Sequence, residues 1–187
     1  TPNDKFSKKT LTMKSKDFKK LHKDDEVIQF LKKDNSNFRI LPLPPLLNDN
    51  RWSAFHLENV GGYHPAKLQN YQTLMTDVGF NSPGYLQMLN VKYLISLSEL
   101  NHPLFELTFN GKLNHQGNNV QAFVYLNKLN HDNVIIPKDL KIYKNSIELN
   151  TALKDPYFSP FSTSLINKDS NLKEGINGSG RVLEFSK

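Results

Sequence analysis

One connection constrains this chain more than any other feature. Residues 38–41 (FRIL) read as a strand, and Pro42, Pro44 and Pro45 end it, because proline lacks the N–H that a sheet interior needs. The next strongly periodic segment begins only near Pro65. Residues 46–63 therefore form a long connection, and such connections in a compact domain either carry function or bury side chains of their own. The stretch 48–71, NDNRWSAFHLENVGGYHPAKLQNY, holds the only Trp of the chain, two of its six His and a Gly pair. Any fold must place that stretch first.

Around it the pattern predicts an α+β fold, a mixed sheet with several short helices. The acids Asp24, Asp25 and Glu26 suit a helix N-terminus and Lys32 and Lys33 its end, giving a helix over 24–33 with Val27, Ile28, Phe30 and Leu31 as apolar face. Pro65 suits a first helical turn. Leu68, Tyr71, Leu74, Met75 and Val78 follow at helical spacing, and Gly79 stands at the expected left-handed C-cap. Ser82-Pro83 opens a second short helix closed by Asn90. VKYLISL (91–97) is apolar on both faces, which predicts a central strand. Asn110-Gly111, between segments 104–109 and 112–116, predicts a hairpin turn. Residues 120–126, 134–136 and 164–166 read as further strands, and 146–155 as a helix capped by Ser146 or Asn145 and stopped by Pro156.

The division expected is a Lys-rich linker over 1–23, a folded domain over 24–167, a polar linker over 168–180, and over 181–187 (RVLEFSK) the first strand of a truncated β-rich module. The chain opens on Thr1, which suggests a piece excised from something longer. No apolar run reaches the roughly 18 residues that a membrane span needs. The absence of Cys excludes disulfides, thiolate metal sites and a cysteine nucleophile. Of the net charge of +6, residues 1–33 supply ten Lys against five Asp or Glu, that is +5. The folded part is close to neutral, which argues against a nucleic-acid face, since that requires a basic patch on the folded surface. The Lys-rich lead-in could instead meet anionic lipid or polymer.

Several residues of the central stretch could carry chemistry. Trp52, Tyr63 and Tyr71 could form an aromatic platform for a sugar, with Arg51, Asn59 and Lys67 as polar contacts; the alternative is that they are core. Gly61 and Gly62 could let backbone N–H groups approach an anion, or simply form a turn. His56 and His64, with Asp49 and Glu58 near in sequence, match no metal-ligand spacing, and no metal or other cofactor is expected. There is no G-x-S-x-G elbow and no convincing pair of carboxylates, so no catalytic residue is assigned and a stand-alone hydrolase is the weakest alternative.

FRILPLP, then NDNRWSAFHLENVGGYHPAKLQNYQ, then LNVKYLIS, in that order, resembles the extracytoplasmic region of the YfhO-like bacterial membrane proteins. AFVYLNK, a helix ending in Lys-Asp-Pro, and TSLI follow the same family order. The resemblance covers about residues 24–187. It implies a polytopic parent similar to GT-C type glycosyltransferases, which act on cell-envelope glycopolymers outside the cytoplasm. The catalytic carboxylate of such a parent is expected in an early loop beside the membrane helices, a region this sequence does not contain. The chain would then be an accessory domain on the extracytoplasmic side of the cell membrane. Its expected partners are an envelope glycan or glycolipid, the parent's transmembrane helices and the following β module. The candidate ligand residues are Arg51, Trp52, His56, Asn59, Gly61, Gly62, Tyr63, His64 and Lys67. The alternative is a purely structural or interaction domain.

Overall fold

The structure is a computed structural model, and it describes residues 23–62, 68–130 and 136–167. The fold is α+β. Helix α1 spans Glu26–Leu31. Asp25 caps it, its Oδ1 accepting from the Ile28 N–H at 2.9 Å, and Val27, Ile28 and Leu31 are buried. Strand β1 (Arg39–Pro42) follows, then two 3₁₀ helices, Leu46–Asn48 and Asn50–Phe55, and a two-residue strand β2 (Glu58–Asn59). Helices α2 (Gln69–Asp77) and α3 (Pro83–Met88) lead into β3 (Val91–Ser96), β4 (Phe105–His115) and β5 (Asn118–Asn127). The chain then forms β6 (Asp139–Tyr143), α4 (Ser146–Lys154) and β7 (Thr163–Asn167).

Five strands make a mixed sheet in the order β2–β1–β3–β5–β4. β1 is parallel to both β2 and β3, while β5 is antiparallel to β3 and β4. β3 lies at the centre, as its apolar pattern predicts. Its side chains alternate between two cores. Tyr93 and Ile95 point to one face, with Ile40, Leu113, Ala122 and Val124 from the neighbouring strands. Leu94 points to the other, with Leu41, Leu86 of α3 and Tyr125. α1 and the connection 46–57 cover the first face, and α3 covers the second. β6 and β7 form a separate two-stranded parallel sheet joined through α4, whose Leu153 packs with Val78 and Tyr85.

Three expectations are corrected. Asn110-Gly111 is not a turn. β4 runs through it, with Gly111 paired to Ala122, and the hairpin closes five residues later at Gln116-Gly117. Both of those residues have positive φ, 51° and 85°, as the tight two-residue turn requires. Gly111 serves close approach instead, since a Cβ there would come within 2.7 Å of Glu26 Oε2 and 2.8 Å of the Phe109 ring. The helix expected near Pro65 begins at Gln69. Leu68 is its extended N-cap residue and is exposed rather than part of an apolar stripe. A strand over 134–136 is not found at Ile136, and its other residues lie outside the described ones. The lead-in 1–22, the linker 168–180 and the strand 181–187 also lie outside them. β6 was not foreseen in the sequence. Among the described residues, no helix is long and apolar enough to cross a membrane.

Candidate functional site

The central stretch divides into a buried half and an open half. The second 3₁₀ helix, capped by Asp49 Oδ1 on the Arg51 N–H at 2.9 Å, turns Arg51, Trp52 and Phe55 inward. Trp52 is 0% exposed and sits among Ile28, Leu46 and Leu57 in the core under the sheet. Its ring offers no face to a sugar, so it is core and not a stacking platform. The indole Nε1 has no hydrogen-bond partner among the described residues.

Arg51, expected as a ligand contact, is also buried. Its guanidinium pairs with the Asp25 carboxylate and donates to the Asn114 carbonyl. It lies over the rings of Trp52 and Phe55, 5.5 and 5.9 Å from their centroids. Asp25 Oδ2 accepts in addition from the Asn114 N–H at 3.0 Å, and Glu26 Oε2 accepts from the Lys112 N–H at 2.7 Å. The acids at the start of α1 thus do more than cap a helix. They occupy outward N–H groups of β4, the edge strand, which would otherwise invite pairing with another chain. No sequence signal reveals this, because Asp25, Arg51 and Asn114 meet only through the tertiary fold.

The open half is residues 56–62. His56 is exposed and holds a left-handed φ of 61° at the end of the 3₁₀ helix. Asn59 is half-buried, and its Oδ1 accepts from the Gly61 N–H at 2.8 Å. Gly62, at φ 93°, donates to the Leu47 carbonyl at 2.6 Å. A Cβ at Gly61 would strike the Leu47 carbonyl and side chain. The glycine pair is therefore a turn seated against Leu47. Tyr63, His64 and Lys67 lie outside the described residues. Tyr71, the third member of the expected platform, is half-buried and donates its hydroxyl to the Val60 carbonyl at 2.5 Å, and burial raises its pKa.

His56, Asn59, Gly61 and Gly62 line an open groove of about 760 Å³ beside β2. Arg39, Asp49, Asn50, Ser53, Leu57 and Glu58 complete its walls, and the fully buried Trp52 borders it; the Arg39–Glu58 pair has no local signal in the sequence, because parallel pairing of β1 and β2 is what sets Arg39 opposite Glu58. Their side chains form an exposed ion pair at 3.1 Å. His115 Nδ1 stands 3.9 Å from Asp49 Oδ2. Ser53, a possible nucleophile by type, spends its hydroxyl on the Asn50 carbonyl at 2.7 Å. No group of three or more His, Cys, Asp or Glu that could hold a metal exists among the described residues. The groove offers amide, imidazole and paired charged groups, which supply both donors and acceptors of hydrogen bonds.

A second polar hollow, around Asp34 and Ser36, shares His56, Leu57 and Glu58 with this groove. Asp34 Oδ2 accepts from Lys92 Nζ at 2.5 Å and from the Tyr93 hydroxyl at 2.8 Å. Burial pushes the Asp34 carboxyl up, but Lys92, Ser36 and Tyr93 outweigh it and hold it well below the usual carboxylate range. Burial and the Asp34 carboxylate push the Tyr93 hydroxyl up. Compared with protein-family models, curated proteins and solved structures, the chain matches none of them.

Proposed function

We propose that this chain is an accessory, non-catalytic domain on the extracytoplasmic side of a polytopic membrane protein of the YfhO-like, glycosyltransferase-related type, and that it holds an envelope glycan for the parent. The family part rests on the order of FRILPLP, GGYHPAKLQNYQ and LNVKYLIS. The binding part rests on one observation: His56, Glu58, Asn59 and Arg39 converge on an open groove in which the described residues form no nucleophile–base pair. Hydroxyl-rich ligands are recognised by such polar sets, with few charges and many donors and acceptors.

The test is an NMR titration of the full chain with neutral envelope oligosaccharides. Shifts should concentrate at His56, Asn59, Gly61 and Gly62, and His56→Ala with Asn59→Ala should weaken them about tenfold, as lost ligand hydrogen bonds do. Shifts elsewhere, or none up to millimolar glycan, would end the binding part. The burial of Trp52 and Arg51 favours a second reading, in which the stretch only locks the connection to the sheet and the domain docks on its parent. Silent titration together with strong destabilisation on opening that lock would select it.

A further inference from the structure

Residues 56–58 wall two hollows at once. On one side lies the groove of about 760 Å³ beside β2, and on the other the hollow of about 300 Å³ around Asn35 and Ser36. Both volumes fall within the range of small-ligand sites. His56 stands between them, exposed, at the left-handed φ of 61° that ends the 3₁₀ helix. Asn59 lines the first hollow and Asn35 the second, so their amides lie on opposite sides of the His56 ridge.

The wall of the second hollow is tied down. Asp34 Oδ1 accepts from the Ser36 N–H, Ser36 Oγ accepts from Lys92 Nζ, and the Asn37 carbonyl accepts from Asn90 Nδ2, each at 2.9 Å. Loop 34–37 is thereby held to β3 and to the turn before it. A wall ordered in advance loses little freedom when a ligand arrives.

The charges decide what kind of ligand fits. The two linings carry Lys32 and Arg39 against Asp34, Asp49 and Glu58. Lys32 faces Asp24 and Arg39 faces Glu58, each at 3.1 Å, and Lys92 faces Asp34 at 2.5 Å. Among the described residues that line the hollows, no cation is left over to attract a polyanion, which takes a cleft of one sign. Beyond the paired charges the linings offer amide and imidazole groups, donors and acceptors for hydroxyls.

Resting on the glycan reading of the groove, we propose that the two hollows are adjacent subsites for an unbranched, uncharged glycan. At least two consecutive sugar units cross the His56 ridge, one in each hollow. The site thereby selects for chain length and against anionic polymers.

The probes are neutral, unbranched hexose and N-acetylhexosamine oligosaccharides of one, two and four units, titrated into the full isotope-labelled chain. One unit should shift the amides of Asn59, Gly61 and Gly62. Four units should also shift those of Asn35, Ser36 and Asn37 and bind about tenfold more tightly, the gain from one or two added hydrogen bonds. Asn35→Ala should reduce that length advantage about fivefold, as loss of one such bond does. His56→Gly removes the ridge at a φ that glycine holds without steric cost. Its Trp52 fluorescence should stay that of the folded protein while the length advantage falls below about twofold, both cross-ridge contacts being lost. An affinity independent of length, or a length advantage untouched by both variants, overturns the paired subsites and leaves the glycan reading standing. Tighter binding of polyphosphate than of every neutral probe overturns them too. No shift with any probe up to millimolar concentration ends both.

Discussion

Breaking the Arg51–Asp25 pair should cost this fold a large share of its stability. The two side chains are 8% and 7% exposed, so each charge is out of water and depends on the other. Arg51→Met keeps length and apolar stem. It leaves Asp25 with the N–H groups of Ile28 and Asn114, and should destabilise by about 3 kcal/mol, the lower end for breaking a buried pair. Asp25→Ala removes the helix cap too, about 1 kcal/mol more, and strands a guanidinium against Trp52. It should cost about 4–5 kcal/mol. Asp25→Ser with Arg51→Met keeps a capping oxygen and buries no charge, so the double variant should lose only about 1–2 kcal/mol. With Asp25→Ser as the matching single, the double variant should lose far less than the two singles summed, as coupled side chains do. Domains of this size carry about 5–15 kcal/mol in all, so the singles should shift urea midpoints visibly. Trp52, the sole tryptophan, reports the transition by fluorescence. Additive singles of under about 1 kcal/mol each would mean an exposed, weak pair, and would refute the view that this contact pins the connection under the sheet.

Two further outcomes follow from the same geometry. Trp52→Ala should destabilise by about 3–5 kcal/mol in the same urea assay, as for other fully buried aromatics, whereas a ligand platform would tolerate it. Asp34→Asn should cost about 1–2 kcal/mol at pH 7 by leaving Lys92 without its carboxylate. Because the folded-state value of Asp34 is depressed, its contribution is complete above the ordinary carboxylate range and is lost as pH falls toward the folded value. Wild type and Asp34→Asn should therefore converge in stability on acidification, and a constant gap down to pH 2.5 would count against the Asp34 assignment.

What the sequence disclosed depended on how local the determining interactions are. The cap at Asp25, the left-handed Gly79, the Ser82-Pro83 start and the Asn145 cap involve neighbours within a turn, and all four are present. The apolar pattern of VKYLISL revealed a central strand because burial on both faces leaves no polar alternation. The hairpin was misplaced because Asn-Gly is a strong local signal, yet pairing through Gly111 aligns Leu113 with the core and gives Glu26 room to reach β4. Tertiary pairing overrode it. The candidate site was legible as a place and not as a set of roles. One local difference, six residues of 3₁₀ helix rather than open loop, rotates Arg51 and Trp52 inward and leaves His56 and Asn59 outside.

The contact joining Asp25, Arg51 and Asn114 ties together points 26, 63 and 89 residues apart along the chain. Closing such distant loops is entropically slow, whereas the β4–β5 hairpin needs only a two-residue turn. The hairpin therefore assembles early, and its free flank waits for the amino-terminal helix to arrive. Until then that flank is an unpaired strand edge, so newly made chains should be prone to stick to one another in that interval.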